Sequence, residues 1–446
     1  MNKEKKKKIS GWGNYPSIET LIHTPNNRKE LLKHLSKGQC IARGNGRSYG
    51  DSAINSSNTI DMKKFNHFLN FNNKNGLLTV QAGILIIDIL DNFIKKGWFM
   101  PVTPGTKYVT IGGMVAADVH GKNHHKDGSF SEYIQWIDLI DKNQNLIRCS
   151  RKKNKDLFFN TIGGMGLTGV ILNVCFKLIP IETSWVKQTI IPTKNLEKTI
   201  EFFTKYEQVT YTVAWIDCMS EGEQLGRSLI MLGEHAKLEE LPDNIKKKRF
   251  ENKQRKKIKI MFHFPKFIMN WVFIKLFNII YYNLGKLKKG ENFVDIESFF
   301  YPLDSILNWN KIYGRNGFLQ FQCVIPTKYS KKAIIEIFKI MKTFGSSSFL
   351  AVLKKLGKEN GSISFPMEGF TLALDFPVSD KNLLMMKKLD DIVIRYRGRF
   401  YLAKDSRIGS KTLLKSDDRF TVFQKMRKNK NLSNKFNSSQ SLRLNI

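Results

Sequence analysis

Residues 43–51, Arg-Gly-Asn-Gly-Arg-Ser-Tyr-Gly-Asp, constrain this chain more than any other segment. They follow the short apolar run Cys40-Ile41-Ala42, which reads as a strand. Three closely spaced glycines free the backbone to turn several amide N–H groups toward one anion. A strand running into such a loop suits a diphosphate; an ordinary tight loop is the alternative. A second cluster, Gly164-Met165-Gly166-Leu167-Thr168-Gly169, has the GxGxxG spacing but leads into the alternating stretch Val170–Leu178. A Rossmann site needs a helix N-terminus there, so that reading fails on context.

The neighbourhood of the first loop sharpens its meaning. An alternating strand at Leu77–Ala82 is followed by a helix with apolar positions at Ile87, Leu90 and Ile94. Pro104-Gly105-Thr106 and Val109-Thr110-Ile111-Gly112-Gly113-Met114 then form a second small-residue turn, with a helix expected over Met114–Val119 and His120-Gly121-Lys122 at its end. Two glycine loops flanking a strand–helix unit suit a long, extended cofactor.

At 446 residues, the chain exceeds one ordinary core and calls for about two or three domains. Apolar residues make up 41%, enough for sizeable cores. A hairpin is expected over 133–149 with its turn at Lys142–Asn145, and the first lobe closes near residue 183. A second lobe begins at Trp185. Its strand signals are VKQTIIP, YTVAWIDCM, FLQFQCVIP, SSFLAVLKKLG and GFTLALDFPV, with helices at NLEKTIEFFTKY and Lys381–Arg395. From Gly398 a strand and loop return toward the first lobe. The five cysteines are widely spaced without a CxxC pair and read as reduced, packed thiols.

The ordered set Arg43–Asp51, TVQAGILIIDIL, Pro104-Gly105-Thr106, Gly112-Gly113 and His120-Gly121-Lys122 resembles the FAD-binding oxidases of the vanillyl-alcohol-oxidase/p-cresol-methylhydroxylase superfamily. More narrowly, Gly11-Trp12-Gly13, HGKNHH, GGMGLTG, AWID, FLQFQ, SFLAVLKKLG and YLAKDSR, in collinear order, resemble the decaprenylphosphoryl-β-D-ribose oxidase family. The resemblance implies an α+β, two-lobed fold: an FAD-binding domain at 1–183, an antiparallel-sheet substrate domain at 184–397, and a C-terminal segment at 398–446 returning to the first. It implies flavin contacts from Ala42, Arg43, Gly44, Asn45, Gly46, Arg47, Ser48, Tyr49, Gly50, Asp51 and Ser52. Further contacts fall to Gly105, Thr110, Ile111, Gly112, Gly113, Ala117, Asp118, Val119, His120, Ile171 and Tyr401. Relatives with covalent flavin carry a histidine where this chain has Arg47, so FAD is expected to be noncovalent, with Arg47 balancing phosphate charge.

The same resemblance places Lys122, Trp215, Gln320, Gln322, Lys354 and Thr371 at the substrate, and Lys404, Tyr49 and His120 at the chemistry. Lysines suit a phosphate, carboxamides suit sugar hydroxyls, and an indole suits a ring face or lipid tail. Read singly, Gln320 and Gln322 are the outward face of a strand and Lys354 a solvated charge. His120, His124 and His125 raise a metal site, but the flanking Gly121 and Gly128 argue for a loop, and no metal is expected. Phe300, Ala373 and Thr371 depart from the family's Tyr, Cys and Asn, which bears on substrate preference. The implied reaction is oxidation of the ribose 2-hydroxyl of a polyprenyl-phosphoryl ribose, followed by a short-chain reductase that completes epimerisation to arabinose. An aldonolactone or free-sugar oxidase is the alternative within the superfamily.

The formal charge is +34, which would suit nucleic acid, anionic lipid or a phosphorylated substrate, or reflect a composition biased throughout. A non-catalytic basic lipid- or nucleic-acid-binding protein is the alternative of another class; no nucleic-acid partner is expected. The insert at 246–289 focuses the charge. Residues 246–259 hold nine basic residues against the single acid Glu251, and residues 260–284 turn apolar and aromatic. That pattern resembles a peripheral membrane-binding segment, and Pro265, Lys266 and Lys275 interrupt it too often for a span. The N-terminal lysines lead into no apolar stretch, so neither a signal peptide nor a transmembrane helix is expected and the location is cytoplasmic or membrane-peripheral.

Overall fold

The computed structural model describes residues 5–251, 257–265, 270–359 and 361–446. Lys253, Arg255 and Lys256 of the basic run, and Lys266, lie outside the described residues.

The N-terminal portion builds two sheets. In one, Lys7–Ser10, Ser17–His23, Asn58–Asp61 and Ile41–Arg43 lie side by side in that order, the last three parallel. In the other, Phe68–Asn72, Leu77–Gln81, Val170–Lys177, Ile134–Ile140 and Leu146–Ser150 form an antiparallel sheet. The glycine cluster at 164–169 thus enters a strand, not a helix. Asp141 organises the hairpin turn, its carboxylate accepting from the Asn143 and Asn145 amides at 2.9 and 2.7 Å.

Two helices differ from the sequence reading. The first spans Ile86–Phe93 and buries Ile86, Ile89, Leu90 and Phe93, so Ile87 is only partly covered while Leu90 and Ile94 are buried as expected. The second spans Ile111–Ala116 rather than Met114–Val119. Thr110 caps it by accepting from the Gly113 amide at 3.3 Å, which moves the start upstream. Gly112 lies inside the first turn because a Cβ there would stand 2.8 Å from the Ala82 Cβ. Close packing, not turn-making, requires that glycine.

The second half of the chain is dominated by an eight-stranded sheet. Its order is Gly290–Asp295, Trp185–Thr193, Ser228–His235, Tyr211–Ile216, Ala351–Leu356, Gly369–Pro377, Phe318–Pro326 and Arg399–Phe400, with every pairing antiparallel. Side chains alternate between its faces. Leu319, Phe321, Cys323 and Ile325, with Phe370, Leu372 and Leu374, meet the helices Thr327–Thr343 and Asp380–Arg395 in the largest apolar core. The intervening residues, among them Gln320, Gln322, Thr371, Ala373 and Asp375, take the opposite face.

The segment after Phe400 connects both halves. The Cys40 amide donates to Lys435 O at 2.9 Å and the Ser439 amide to Ile54 O at 2.7 Å, so the helical tail reaches the N-terminal sheet. All five cysteines are free and buried. Among the described residues no helix is long and apolar enough to cross a membrane.

Candidate active site

The loop 43–52 is held by contacts that explain its glycines. A Cβ on Gly44 would stand 2.1 Å from Thr110 Oγ1, and one on Gly50 would stand 2.2 Å from Asp405 O. The loop is therefore pressed between the 110 helix start and the 403–406 segment. Gly46 takes φ +63, a left-handed conformation costly for other residues. Asn45 donates to Tyr108 O at 2.8 Å, and the Tyr49 amide donates to Ala403 O at 2.9 Å.

Arg43 donates to Ser10 O at 2.7 Å, while its Nη1 is buried with no partner among the described residues. A buried guanidinium nitrogen left open beside a glycine loop fits an anionic cofactor such as the FAD diphosphate. Arg47 behaves differently. Its guanidinium lies between the rings of Trp12 and Tyr108, 4.1 and 5.3 Å from their centroids. That placement is a cation–π clamp. Asp51 is engaged by Arg443 at 2.8 Å, and the same guanidinium nitrogen reaches Asp405 at 3.0 Å. Its carboxylate is a tie between segments rather than an open ligand.

Asp118 shows how the 117–120 segment is aimed. It takes φ +39 just beyond the short helix. Its carboxylate accepts from Ser364 Oγ at 2.6 Å and Ser129 Oγ at 2.9 Å, and burial pushes its pKa up to about 6 despite these bonds. This anchoring turns the next residues so that His120 enters the site. The Tyr401 hydroxyl donates to Ala117 O at 3.3 Å, and its ring stacks on Phe365 at 4.6 Å and lies 5.5 Å from that of His120. Ala42 is partly covered and Ser52, Val119 and Ile171 are buried in the surrounding walls. Ser48 is partly covered, and Gly105 has open space where a Cβ would stand.

The eight-stranded sheet supplies the facing wall through its register. Trp215, Val352, Ala373 and Gln322 form one cross-strand row, Lys354, Thr371 and Val324 the next, and Asp375 pairs with Gln320 on the other side. The Gln322 carboxamide nitrogen lies 3.2 Å from His120 Nε2 and 3.3 Å from Thr371 Oγ1, and Lys354 Nζ lies 3.3 Å from His120 Nδ1. Residues more than 200 positions apart thus meet at one imidazole. Burial, then Lys354, His124 and Lys404, drives the His120 pKa well below the ordinary value, so the ring is neutral.

Three lysines share this interior. Burial lowers the Lys122 pKa to about 7, with Lys354 adding to it, and lowers Lys354 to about 8. Lys122 donates to Phe299 O and lies 4.7 Å from the Phe299 ring and 5.4 Å from that of Phe300. Phe300 therefore lines the lysine's surroundings. Lys404 Nζ sits 3.7 Å over the Tyr49 ring; burial and Lys354 lower its pKa, and Asp375 opposes them. Asp375 is the functional candidate the sequence reading missed. Its only signal was strand alternation, which puts it on the face of Thr371 and Ala373.

Not every candidate converges. Trp215 packs with Leu229 and Tyr282, and its ring lies 4.8 Å from that of Tyr281, at the border with the helix Trp271–Leu287. His124 Nδ1 accepts from the Gly357 amide at 3.0 Å and His125 Nε2 lies 2.9 Å from Val209 O, so the three histidines face different partners. Among the described residues no group of three or more metal-ligating side chains is arranged for an ion.

Comparison with known proteins fits this geometry. Residues 24–150 match the FAD binding domain family. The chain is 32% identical to decaprenylphosphoryl-beta-D-ribose oxidase of Mycolicibacterium smegmatis over 453 residues, covering 99% of this chain and 98% of that protein. It is 25% identical to an uncharacterized protein of Streptomyces coelicolor over 79% of this chain and 97% of that one. It is 29% identical to L-gulonolactone oxidase of Mus musculus over 32% of this chain and 33% of that enzyme.

Proposed function

The chain belongs to the decaprenylphosphoryl-β-D-ribose oxidase family of FAD-dependent oxidoreductases, and from that premise we propose that it oxidises the 2-hydroxyl of a polyprenyl-phosphoryl-β-D-ribose to the 2-keto sugar. The observation that carries this reading is the set Lys122, Lys354 and Lys404, each half-buried with its pKa lowered chiefly by desolvation, with the buried carboxylate Asp375 acting on Lys404 alone. Such an excess of partly desolvated cation is costly unless the ligand brings negative charge. A phosphoryl sugar does; a lactone or free sugar does not. The likeness to L-gulonolactone oxidase spans 32% of the chain, against 99% for the ribose oxidase.

In this scheme the 42–52 loop and the 105–120 segment would hold FAD noncovalently, and the bound flavin would supply the hydride acceptor. Lys122 and Lys354 hold the phosphate; Gln322, Thr371 and neutral His120 bond sugar hydroxyls. Lys404, whose lowered pKa leaves a share of free amine near neutral pH, accepts the hydroxyl proton beside Tyr49. A short-chain reductase acting on the keto product would complete the epimerisation to arabinose.

A lipid-linked substrate also gives a role to the helix Trp271–Leu287. It buries Ile274, Asn278 and Tyr282 and exposes Trp271, Phe273, Leu276, Ile280 and Leu284. Lys275, Lys286, Lys288 and Lys289 flank that apolar face. The composition suits insertion into an anionic bilayer surface, next to Trp215 at the substrate border.

The test is anaerobic mixing of the yellow protein with farnesylphosphoryl-β-D-ribose. The expected result is loss of the flavin absorbance band, with no loss for ribose or lactones. In Lys404→Ala the bleaching rate should fall about 100-fold or more with FAD retained. Bleaching by gulonolactone and not by the phosphoryl sugar would overturn the reading, and an unimpaired Lys404→Ala would remove lysine from the proton step.

A further inference from the structure

We propose that Asp375 is a positioning residue that sets the proton affinity of Lys404, acting across a buried Gln320–Tyr49 contact; this inference rests on the proton-acceptor role given to Lys404 above. The geometry is a short chain of side chains. Gln320 Nε2 donates to Asp375 Oδ1 at 2.6 Å and lies 3.5 Å from the Tyr49 hydroxyl. Lys404 Nζ rests 3.7 Å over the face of that same tyrosine ring. The Tyr313 hydroxyl donates to Asp375 Oδ2 at 3.4 Å, and its ring stacks on Phe318 at 4.5 Å, next to Tyr49 at 5.2 Å from Phe318. The Asp375 amide is itself fixed by Ser348 Oγ at 2.8 Å.

The direction of the effect follows from charge. Asp375 is fully buried, and among the described residues its ionised form is the anion that holds the proton on Lys404, against burial and Lys354. The remaining titratable groups facing the pair do not supply that anion. Tyr49 and Tyr313 are kept protonated by burial, His120 is kept neutral by burial and Lys354, and Lys354 is a like charge. Burial in turn raises Asp375, so the two groups titrate as a unit rather than singly. The carboxylate thus limits how far the lysine pKa falls, and with it the pH at which a free amine becomes available.

The test is Asp375→Asn, with Asp375→Glu as the conservative control, in protein that keeps its flavin absorbance. Two quantities are read: the acid limb of kcat/KM with farnesylphosphoryl-β-D-ribose, and the pH dependence of Lys404 acetylation by trace acetic anhydride, followed by peptide mass spectrometry without substrate. Loss of the anion should move both to lower pH by about one unit or more, and the glutamate should restore most of the shift. If Asp375→Asn fails to fold, Tyr313→Phe removes one hydrogen bond from the carboxylate while keeping the ring stack, and should move the labelling curve the same way by less. An unchanged labelling curve in a folded Asp375→Asn or Tyr313→Phe overturns the proposal. A shifted labelling curve in protein that does not oxidise the phosphoryl sugar would uphold the coupling and count against the substrate reading alone.

Discussion

At position 47 one residue type decides how the cofactor is kept. An arginine cannot form the histidyl–flavin bond, and here its guanidinium is occupied by Trp12 and Tyr108. Acid precipitation should therefore release all of the flavin into the supernatant; yellow colour retained in the pellet would contradict the noncovalent mode. The arginine itself was legible in the sequence, but its aromatic partners come from residues 35 positions upstream and 61 downstream, beyond what a local motif can report. The lysines were legible only through the family resemblance. Taken singly, each is a charged residue expected in solvent, and only the folded arrangement reveals that the half-buried lysines act on one another and on His120. Asp375 escaped because its partners Gln320 and Tyr313 lie more than 50 residues away.

Elements were more readable than side chains. The strands of the large sheet announce themselves by alternation, and the helix over 380–395 by its period, because both patterns are local. The helix Ile111–Ala116 was displaced in the sequence reading because two glycines look like a turn until the Ala82 contact is seen. For the helix Trp271–Leu287, the 274, 278, 282 spacing of buried residues leaves Trp271, Phe273, Leu276, Ile280 and Leu284 exposed on its outer face among the described residues. The paired substitution Leu276→Asp and Ile280→Asp should reduce sedimentation with phosphatidylglycerol-containing vesicles by about tenfold or more, while turnover of a short-chain, dispersed substrate persists. Unchanged sedimentation would dissociate this helix from the bilayer.

Across the whole molecule, the site is a burden on stability. A lysine whose folded pKa is about 7 against an ordinary value of 10.5 is neutral when folded and charged when unfolded through that interval. Unfolding then takes up a proton, so stability contributed at Lys122 rises with pH from about 7 to 10.5, and the full penalty stands below 7. Lys122→Met should stabilise the apoprotein by about 2–4 kcal/mol at pH 7, with the gain shrinking toward pH 10, as read from denaturant midpoints. An equal gain at both pH values would show that packing, not charge, is responsible.

Arg443, on the helix Ser439–Leu444, grips Asp51 of the glycine loop and Asp405 beside Lys404 at the same time. On the ribosome, both of those aspartates emerge before the arginine that joins them. The flavin loop and the turn carrying Lys404 therefore stay unlatched until the helix Ser439–Leu444 has been made, which places stable cofactor capture after synthesis of both lobes rather than alongside the first.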